Sequence, residues 1–482
     1  MRRLMTTVLV TMIILLGLFS LFFSSRVLGV SATVVLAALA FYHPKAGLLF
    51  LPVYIPIREA LITINPSLKA IGDAAILFAF LRVGYDEIRA GSVRGLMKLQ
   101  AFEWAYLFFV AFGAGIALSS GISLTAVVFQ IRAFLLMYLV FYVVRRLNGM
   151  TAQDVRLFLW LCFATAVIVC LQGLVEKVSL RTLLLPKAWE NWQLADTNRI
   201  RIYGLMGNPN VLAYYLGITG ILTLYLKSIY VRAKTPAVNW MLTLGLVLFS
   251  GVFILTYSRG AIIAFIITLI VFLLFGRTKR VAWSILLPVV CGLALIFYPA
   301  NFAADYVQKN FAVAHKSLDA GNRFTDAFND QNISYSMQTG RLYVVKKGLT
   351  IFLSHPITGT GFATYGDSAA HAYGSSVYTS YHLPKNMYAD NQYIEILVET
   401  GIGGTLLFSV YLLALLVKLW TMRLKTSLAT LLLSIYLGAL VAGLYYNIWE
   451  DKLFTFFFFT LLGILFHFKR GMADESFASN WR

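Results

Sequence analysis

The chain reads as a succession of long apolar runs cut by short charged turns. Apolar stretches fall near 4–25, 27–43, 46–63, 72–88, 102–121, 124–146, 155–178, 211–231, 237–258, 259–275, 281–300, 400–420, 426–449 and 453–468. Most approach the roughly 20 residues that a helix needs to cross a hydrocarbon core. The pattern predicts an all-α, polytopic transmembrane helical bundle of 12–14 spans. Two runs are weak, since 46–63 is broken by Pro52, Pro56, Arg58 and Glu59, and 72–88 carries Arg82, Asp86 and Glu87. The rhythm fails twice, over 179–210 and over the 89 polar and aromatic residues 301–389. A structureless loop that long would be unusual, so 301–389 is expected to hold short helices and a function. The predicted organisation is N-terminal helices 1–178, core helices with a first loop 179–300, a large loop 301–389, C-terminal helices 390–468 and a tail 469–482.

Composition narrows the class. Of 482 residues, 59% are hydrophobic and 13% charged, which excludes a soluble enzyme. Cys162, Cys170 and Cys291 all lie inside apolar runs, where cysteine packs as a small hydrophobe and no disulfide scaffold is expected. A net charge of +19 would point a soluble protein toward nucleic acid. Here no nucleic-acid partner is expected, because membrane proteins collect Lys and Arg in cytoplasmic loops. Arg2 and Arg3 set the N terminus inside, before a first span read as a retained helix. Alternation then places 21 Lys and Arg inside against 10 outside, leaving out the long loop, whose charges do not count toward the rule. Both termini are predicted cytoplasmic, and both long loops extracytoplasmic.

Candidate chemistry collects on that outer side. The run 341–354 is amphipathic, with Leu342, Val345, Leu349 and Phe352 on the helical period and Arg341, Lys346 and Lys347 elsewhere. Such a helix is expected in the membrane interface, capped by Thr339 and ended by His355-Pro356. Arg341 in its first turn joins a guanidinium to free backbone N–H groups, a natural anion site. Arg259 follows Ser258 between two apolar runs, against the charge rule. Arg199 and Arg201 precede Asn208-Pro209-Asn210, a helix start by cap and first-turn chemistry. Arg132 lies about two turns into its span, where an arginine lines a polar cavity or pairs with a buried acid. Four of the six histidines, His315, His355, His371 and His382, fall in the long loop. At its re-entry, Asp390 or Asn391 caps a helix on which Glu395 and Glu399 share one face near the outer surface, and Asp73 reads as another cap. Arginines beside a carboxylate or histidine suit a diphosphate leaving group and an attacking sugar hydroxyl. No Asp-x-Asp pair and no nucleotide-binding Gly-Lys-Ser/Thr loop is present, so neither a metal nor a cofactor is expected.

The motifs Thr-Tyr-Ser-Arg-Gly-Ala (256–261), Gly-Asn-Pro-Asn-Val-Leu-Ala (207–213), Gly-Arg-Leu-Tyr-Val-Val-Lys-Lys-Gly-Leu (340–349), His-Pro-Ile-Thr-Gly-Thr-Gly-Phe (355–362) and Asp-Asn-Gln-Tyr-Ile-Glu-Ile-Leu-Val-Glu-Thr-Gly-Ile-Gly-Gly (390–404) resemble the O-antigen ligase and polymerase superfamily, strongly over 195–465. The resemblance implies a GT-C-type glycosyltransferase of the bacterial plasma (inner) membrane, inverting and metal-independent. Its implied partners are an undecaprenyl-diphosphate-linked glycan donor, a glycan acceptor, the lipid bilayer and other polysaccharide-assembly membrane proteins. Arg259 and Arg341 match the family's diphosphate-binding arginines, followed by Arg201, with Arg199 and Lys346 as further contacts. Asn391, Tyr393, Asn210 and Arg132 are the other expected substrate contacts. The ligase branch carries a His-Asn pair at the re-entry; here the pair is Asp390-Asn391. That departure favours a polymerase over a ligase, with Asp390 as base and His382 as the fallback. A transporter is the reading from another class, disfavoured because no internal repeat is seen and the polar residues gather at one face.

Overall fold

Prolines and short polar caps fix where the apolar runs become helices. Pro44, Pro209 and Pro236 stand at helix starts, where the missing N–H costs nothing. Ser123, Thr151, Asn391 and Thr426 each accept a hydrogen bond from a backbone N–H of the turn they open. The structure, a computed structural model, describes residues 25–470 apart from 92, 191, 193, 195, 233–234, 276–279, 311–339 and 386. The predicted span 4–25, His315, Thr339 and residues 471–482 of the tail lie outside the described residues.

Every regular element among the described residues is helical. The principal ones are α1 (Arg26–Tyr42), α2 (Pro44–Ile64), α3 (Ile71–Arg89), α4 (Ala101–Ser119), α5 (Leu124–Arg146), α6 (Ala152–Val178), α7 (Pro209–Arg232), α8 (Pro236–Leu255), α9 (Arg259–Phe275) and α10 (Arg280–Gly292). A π-turn over Leu293–Phe297 joins α10 to α11 (Tyr298–Asn310). Then come α12 (Arg341–Ser354), the short α13 (Ser368–Tyr373) and α14 (Ser376–Ser380), α15 (Gln392–Met422), α16 (Ser427–Ala442) and α17 (Lys452–Arg470). Eight helices are long and apolar enough to cross a membrane: α2, α4 to α8, the stretch from Ser284 to Asn310, and α15. Four shorter apolar helices, α1, α9, α16 and α17, pack beside them. With the charged α3, they account for the predicted spans other than 4–25, and the chain is a polytopic all-α membrane protein.

Successive helices run in opposite directions. One end of the bundle therefore gathers the α2–α3, α6–α7, α8–α9 and α16–α17 links and the segment 340–391; it is called the loop end below. The aromatic helix α17 lies along α5, α9 along α16 and α15 along α4. Phe454, Phe457, Phe458 and Phe459 of α17 are buried at the centre of the core.

Two predicted boundaries are corrected. The run 400–420 is the second part of α15, which starts at Gln392 and breaks at Gly401 (φ 57°, ψ −160°). The chain from Pro356 to Gly361 lies against that break and replaces the lost helical hydrogen bonds. Thr360 N donates to Val398 O (3.0 Å) and Gly361 N to Glu399 O (2.7 Å), while Ile402 N and Gly403 N donate to Pro356 O (2.8 Å) and Ile357 O (3.0 Å). A broken helix is tolerated at membrane depth when protein satisfies its backbone in this way. The run 426–449 ends as helix at Ala442, and 443–451 forms a link at the loop end. The amphipathic face of α12 is also corrected. Val344, Gly348 and Ile351 are buried, with Gly348 set against Ile394 and Val398 of α15, whereas Leu342 and Leu349 are exposed.

Candidate active site

Gly340 enters α12 in extended backbone with no side-chain cap, leaving the first N–H groups of the helix beside Arg341. The Arg341 Nη2 lies 3.9 Å from Asp390 Oδ2, with both side chains about half accessible (46% and 41%). Asp390 holds a left-handed backbone (φ 46°) one residue before α15. Asn391 fixes that position: its Oδ1 accepts from Tyr393 N and Ile394 N (both 3.1 Å), and its Nδ2 donates to Leu444 O (3.3 Å). Crowding by the walls of the mouth pushes the Asp390 carboxyl above the usual carboxylate range, and Arg341 and then Arg201 pull it back.

Arg201 reaches the same place by a different construction. Asn208 Oδ1 accepts from Asn210 N (2.8 Å) and Val211 N (3.4 Å), starting α7 as its sequence predicts. Asn210 Oδ1 then accepts from Arg201 Nη2 (2.7 Å) and from the Ser258 hydroxyl (2.8 Å), and Arg201 Nε donates to Thr256 O (2.8 Å). One amide thus ties Arg201 to the start of α7 and to the α8–α9 turn. Arg259 follows Ser258 as the first residue of α9; its side chain is exposed and makes no hydrogen bond or ion pair with the described residues. Tyr214 and Tyr446 lie ring against ring (5.7 Å), and the charges around Tyr214 are Arg341, Asp451 and Asp390. Tyr446 donates to Asp451 Oδ2 (3.4 Å), and burial pushes Asp451 up to about 6. Three cations, two carboxyl groups and a tyrosine pair therefore meet at the loop end. They stand above an apolar groove between α7, α9 and α16 that includes Gly217, Ile218, Ala261, Ala264 and Ala439.

Residues 244–409 match the family described as O-antigen ligase. That match, over about a third of the chain, supports the O-antigen ligase and polymerase superfamily. No curated protein matches it. The matched segment holds Arg259, Arg341 and Asp390, while Arg201, Asn210, Tyr446 and Asp451 join the same site from outside it. The match and the membrane-spanning helices together support a multi-pass, glycosyltransferase-like membrane enzyme with glycan substrates.

Other expected contacts of the ligase-type enzyme lie elsewhere or are spent on the fold. Arg199 turns back on its own loop, donating to Leu194 O (3.0 Å). Lys346 is exposed on α12, and its ammonium makes no hydrogen bond or ion pair with the described residues. Tyr393 donates to Leu440 O (2.5 Å), a tie between α15 and α16. Asn391 is engaged as the α15 cap. Arg132 pairs with Asp73, Nε to Oδ2 at 2.6 Å, so Asp73 is an ion-pair partner, whereas Ala70 precedes α3. His382 is exposed in a tight turn (φ 52°) and its side chain meets no partner among the described residues. His371, two helices earlier, stacks on Tyr388 (4.7 Å), two residues before Asp390.

Glu395 and Glu399 are fully buried instead of surface-facing. Glu399 Oε1 accepts from Thr364 N (2.8 Å) and Tyr365 N (2.9 Å). Asn447 Nδ2 donates to Glu395, and Gln392 Nε2 to Glu450 Oε1 (3.0 Å). The carboxyl groups of Asp367 and Glu399 are close neighbours, as are those of Glu395 and Glu450. This network underlies Asp390 and holds the re-entry against the α16–α17 link. Sequence reasoning missed Tyr214, Tyr446 and Asp451. Their signal was a tyrosine pair at each of two helix ends, 214–215 and 445–446, the second hidden inside a run read as one span.

Proposed function

We propose that the enzyme is an inverting, metal-independent polysaccharide polymerase that extends a lipid-diphosphate-linked glycan on the extracytoplasmic face. The observation that carries this is Asp390 at 3.9 Å from Arg341, with Arg201 locked beside it and Arg259 free at the rim, above an apolar groove. Orientation follows from charge: Arg82, Arg89, Arg145, Arg146, Lys418, Arg423 and Lys425 lie at the end opposite the loop end, which the positive-inside rule makes cytoplasmic.

The donor's diphosphate sits on Arg341, Arg201 and Arg259, with its polyprenyl chain in the groove. The Asp390 carboxylate takes the proton of an acceptor sugar hydroxyl, whose oxygen attacks the anomeric carbon from the face opposite the leaving group. The new glycosidic C–O bond forms as the bond to the diphosphate oxygen breaks, and the arginines hold the charge that develops there. The energy comes from the activated donor. An acid at the re-entry, where the ligase branch has His-Asn, favours a self-extending polymerase.

The test is purified protein with a short lipid-diphosphate-linked oligosaccharide and excess EDTA, with products separated by length. A ladder of lengthened chains is expected, and Arg259→Ala or Arg341→Ala made at normal level should remove it. A single addition to a different glycan or lipid acceptor would instead identify a ligase. No transfer to any acceptor, with movement of the lipid-linked glycan across vesicles, would identify a transporter.

A further inference from the structure

A second charged cluster lies at the loop end, apart from the site above. Arg58, near the end of α2, is 93% buried and pairs with its neighbour Glu59. Arg132 of α5 pairs with Asp73 of α3 through Nε and Nη2. Lys452 opens α17, and the charges around it are Arg58, Arg132, Asp73, Glu59 and its chain neighbour Asp451. Its ammonium makes no hydrogen bond or ion pair with the described residues. Four helices thus bring three cations together with Asp73 and Glu59, while the third carboxyl group, that of Asp451, is taken up by the Tyr446 hydroxyl and the Phe454 N–H.

That arrangement is costly for a purely structural role. A cation at a helix N-terminus opposes the macrodipole. Two arginines beside it add repulsion that the carboxylates only partly offset. Charges at membrane depth are retained where they meet a ligand or one another. Two of the three cations meet carboxylates; the third does not. An anion seated between Lys452 and the two arginines would give the ammonium a bonded partner, and paired guanidinium groups suit phosphate oxygens.

The cluster is separate from the donor site yet faces the same mouth. Asp390 has Arg341 and Arg201 as its charged neighbours, and Lys452 is not among them. Asp451 stands between the two clusters, bonded to Tyr446 on one side and next to Lys452 on the other. An acceptor that carries its own lipid-diphosphate must place its terminal sugar hydroxyl at Asp390 and its diphosphate a repeat unit away. We infer that Arg58, Arg132 and Lys452 form a second diphosphate subsite, which holds the lipid-linked acceptor during chain extension. The identity of the occupant rests on the polymerase reading.

Binding of farnesyl diphosphate to the full chain in phosphatidylcholine nanodiscs tests the subsite without turnover. Two equivalents are expected for the wild type, one for Lys452→Gln, one for Arg341→Ala, and two again for Lys452→Arg. One equivalent in the wild type, or two retained in Lys452→Gln, overturns the subsite and leaves the donor reading standing. Loss of the second equivalent when phosphatidylglycerol replaces phosphatidylcholine would make the cluster a headgroup site, and also overturns it. In turnover, Lys452→Gln should slow extension of a lipid-diphosphate-linked acceptor by about tenfold or more, equivalent to about 1.4 kcal/mol. Transfer to a soluble, phosphate-free oligosaccharide should stay within about twofold of wild type, a difference of about 0.4 kcal/mol. Equal loss on both acceptors overturns the proposal. A wild type that transfers only once to a foreign acceptor refutes the polymerase reading, while the binding stoichiometry still decides the subsite.

Discussion

Asp390 and Arg341 form a loose, half-exposed pair, the kind that contributes little to stability and can open for a ligand. As a base, Asp390 must be ionised, so the rate should fall as pH drops through its raised pKa. The acid limb of kcat/KM against pH is expected above the ordinary carboxylate range. Arg341→Ala removes the cation that most favours the charged form and should move the limb to higher pH in whatever activity remains. Asp390→Asn should lower kcat by about a hundredfold or more, since positioned proton transfer contributes about 10²–10⁴. A limb unmoved in Arg341→Ala, or His382→Ala losing more activity than Asp390→Asn, would assign the base elsewhere. A milder effect is expected from Asn210→Ala, which frees Arg201: donor KM should rise several-fold with little change in protein level. These residues were legible because polar groups at the start of an apolar run have few local partners. Asn391 was legible only as a cap; a side chain that satisfies two backbone N–H groups and a carbonyl keeps a single amide N–H to offer a sugar.

At the level of elements, the break in α15 makes the most specific demand on sequence. Gly401 sits in a backbone region closed to side chains, and a Cβ there would lie 2.5 Å from Ile357 O. Gly359, on the chain that fills the break, would bring a Cβ to 2.4 Å from the Glu399 backbone. Gly401→Ala is expected to destabilise by about 1–3 kcal/mol, read as a lower melting temperature in detergent. A variant that melts with the wild type would mean that the break is not rigid. The glycines of 355–404 were visible in the sequence as motifs, but not as two halves of one backbone exchange. Hydrophobic period misread α12 for a related reason. That helix has apolar residues on two faces, and the period cannot say which meets protein and which is left exposed. The same limit hid the end of α16, since Tyr445, Tyr446, Ile448 and Trp449 continue an apolar run after the helix has stopped.

Across the whole molecule, a polar spine crosses from α5 to the re-entry. Gln130 Nε2 donates to Glu450 Oε2 (2.9 Å), Gln392 Nε2 to Glu450 Oε1, and Trp449 N to Gln392 Oε1 (2.9 Å). Glu450→Gln should be tolerated, because the Gln130 Oε1 has no partner and its amide can turn over to accept a hydrogen bond. Glu450→Leu should destabilise strongly, leaving two buried amide donors unsatisfied at about 1–3 kcal/mol each. Comparison of the two melting temperatures checks this; equal losses would mean that the site needs the charge and not the hydrogen bonds. Among the described residues the order of the apolar helices was legible in the sequence, because runs of about 20 apolar residues have few alternatives. The spine was not, since its bonded pairs are 57 to 320 residues apart and each member reads locally as an ordinary residue.

The ties between 390–395 and 443–450 also constrain how the enzyme can be made. Asp390 stands on an amide that needs Leu444 O, and Gln392 N donates to Gly443 O (2.9 Å). A nascent chain halted anywhere before the α16–α17 link lacks the two carbonyls to which Asn391 and Gln392 are tied. On the proposed role of Asp390, activity switches on only when the α16–α17 link has left the ribosome and docked, so an unfinished copy in the membrane would leave the donor unused.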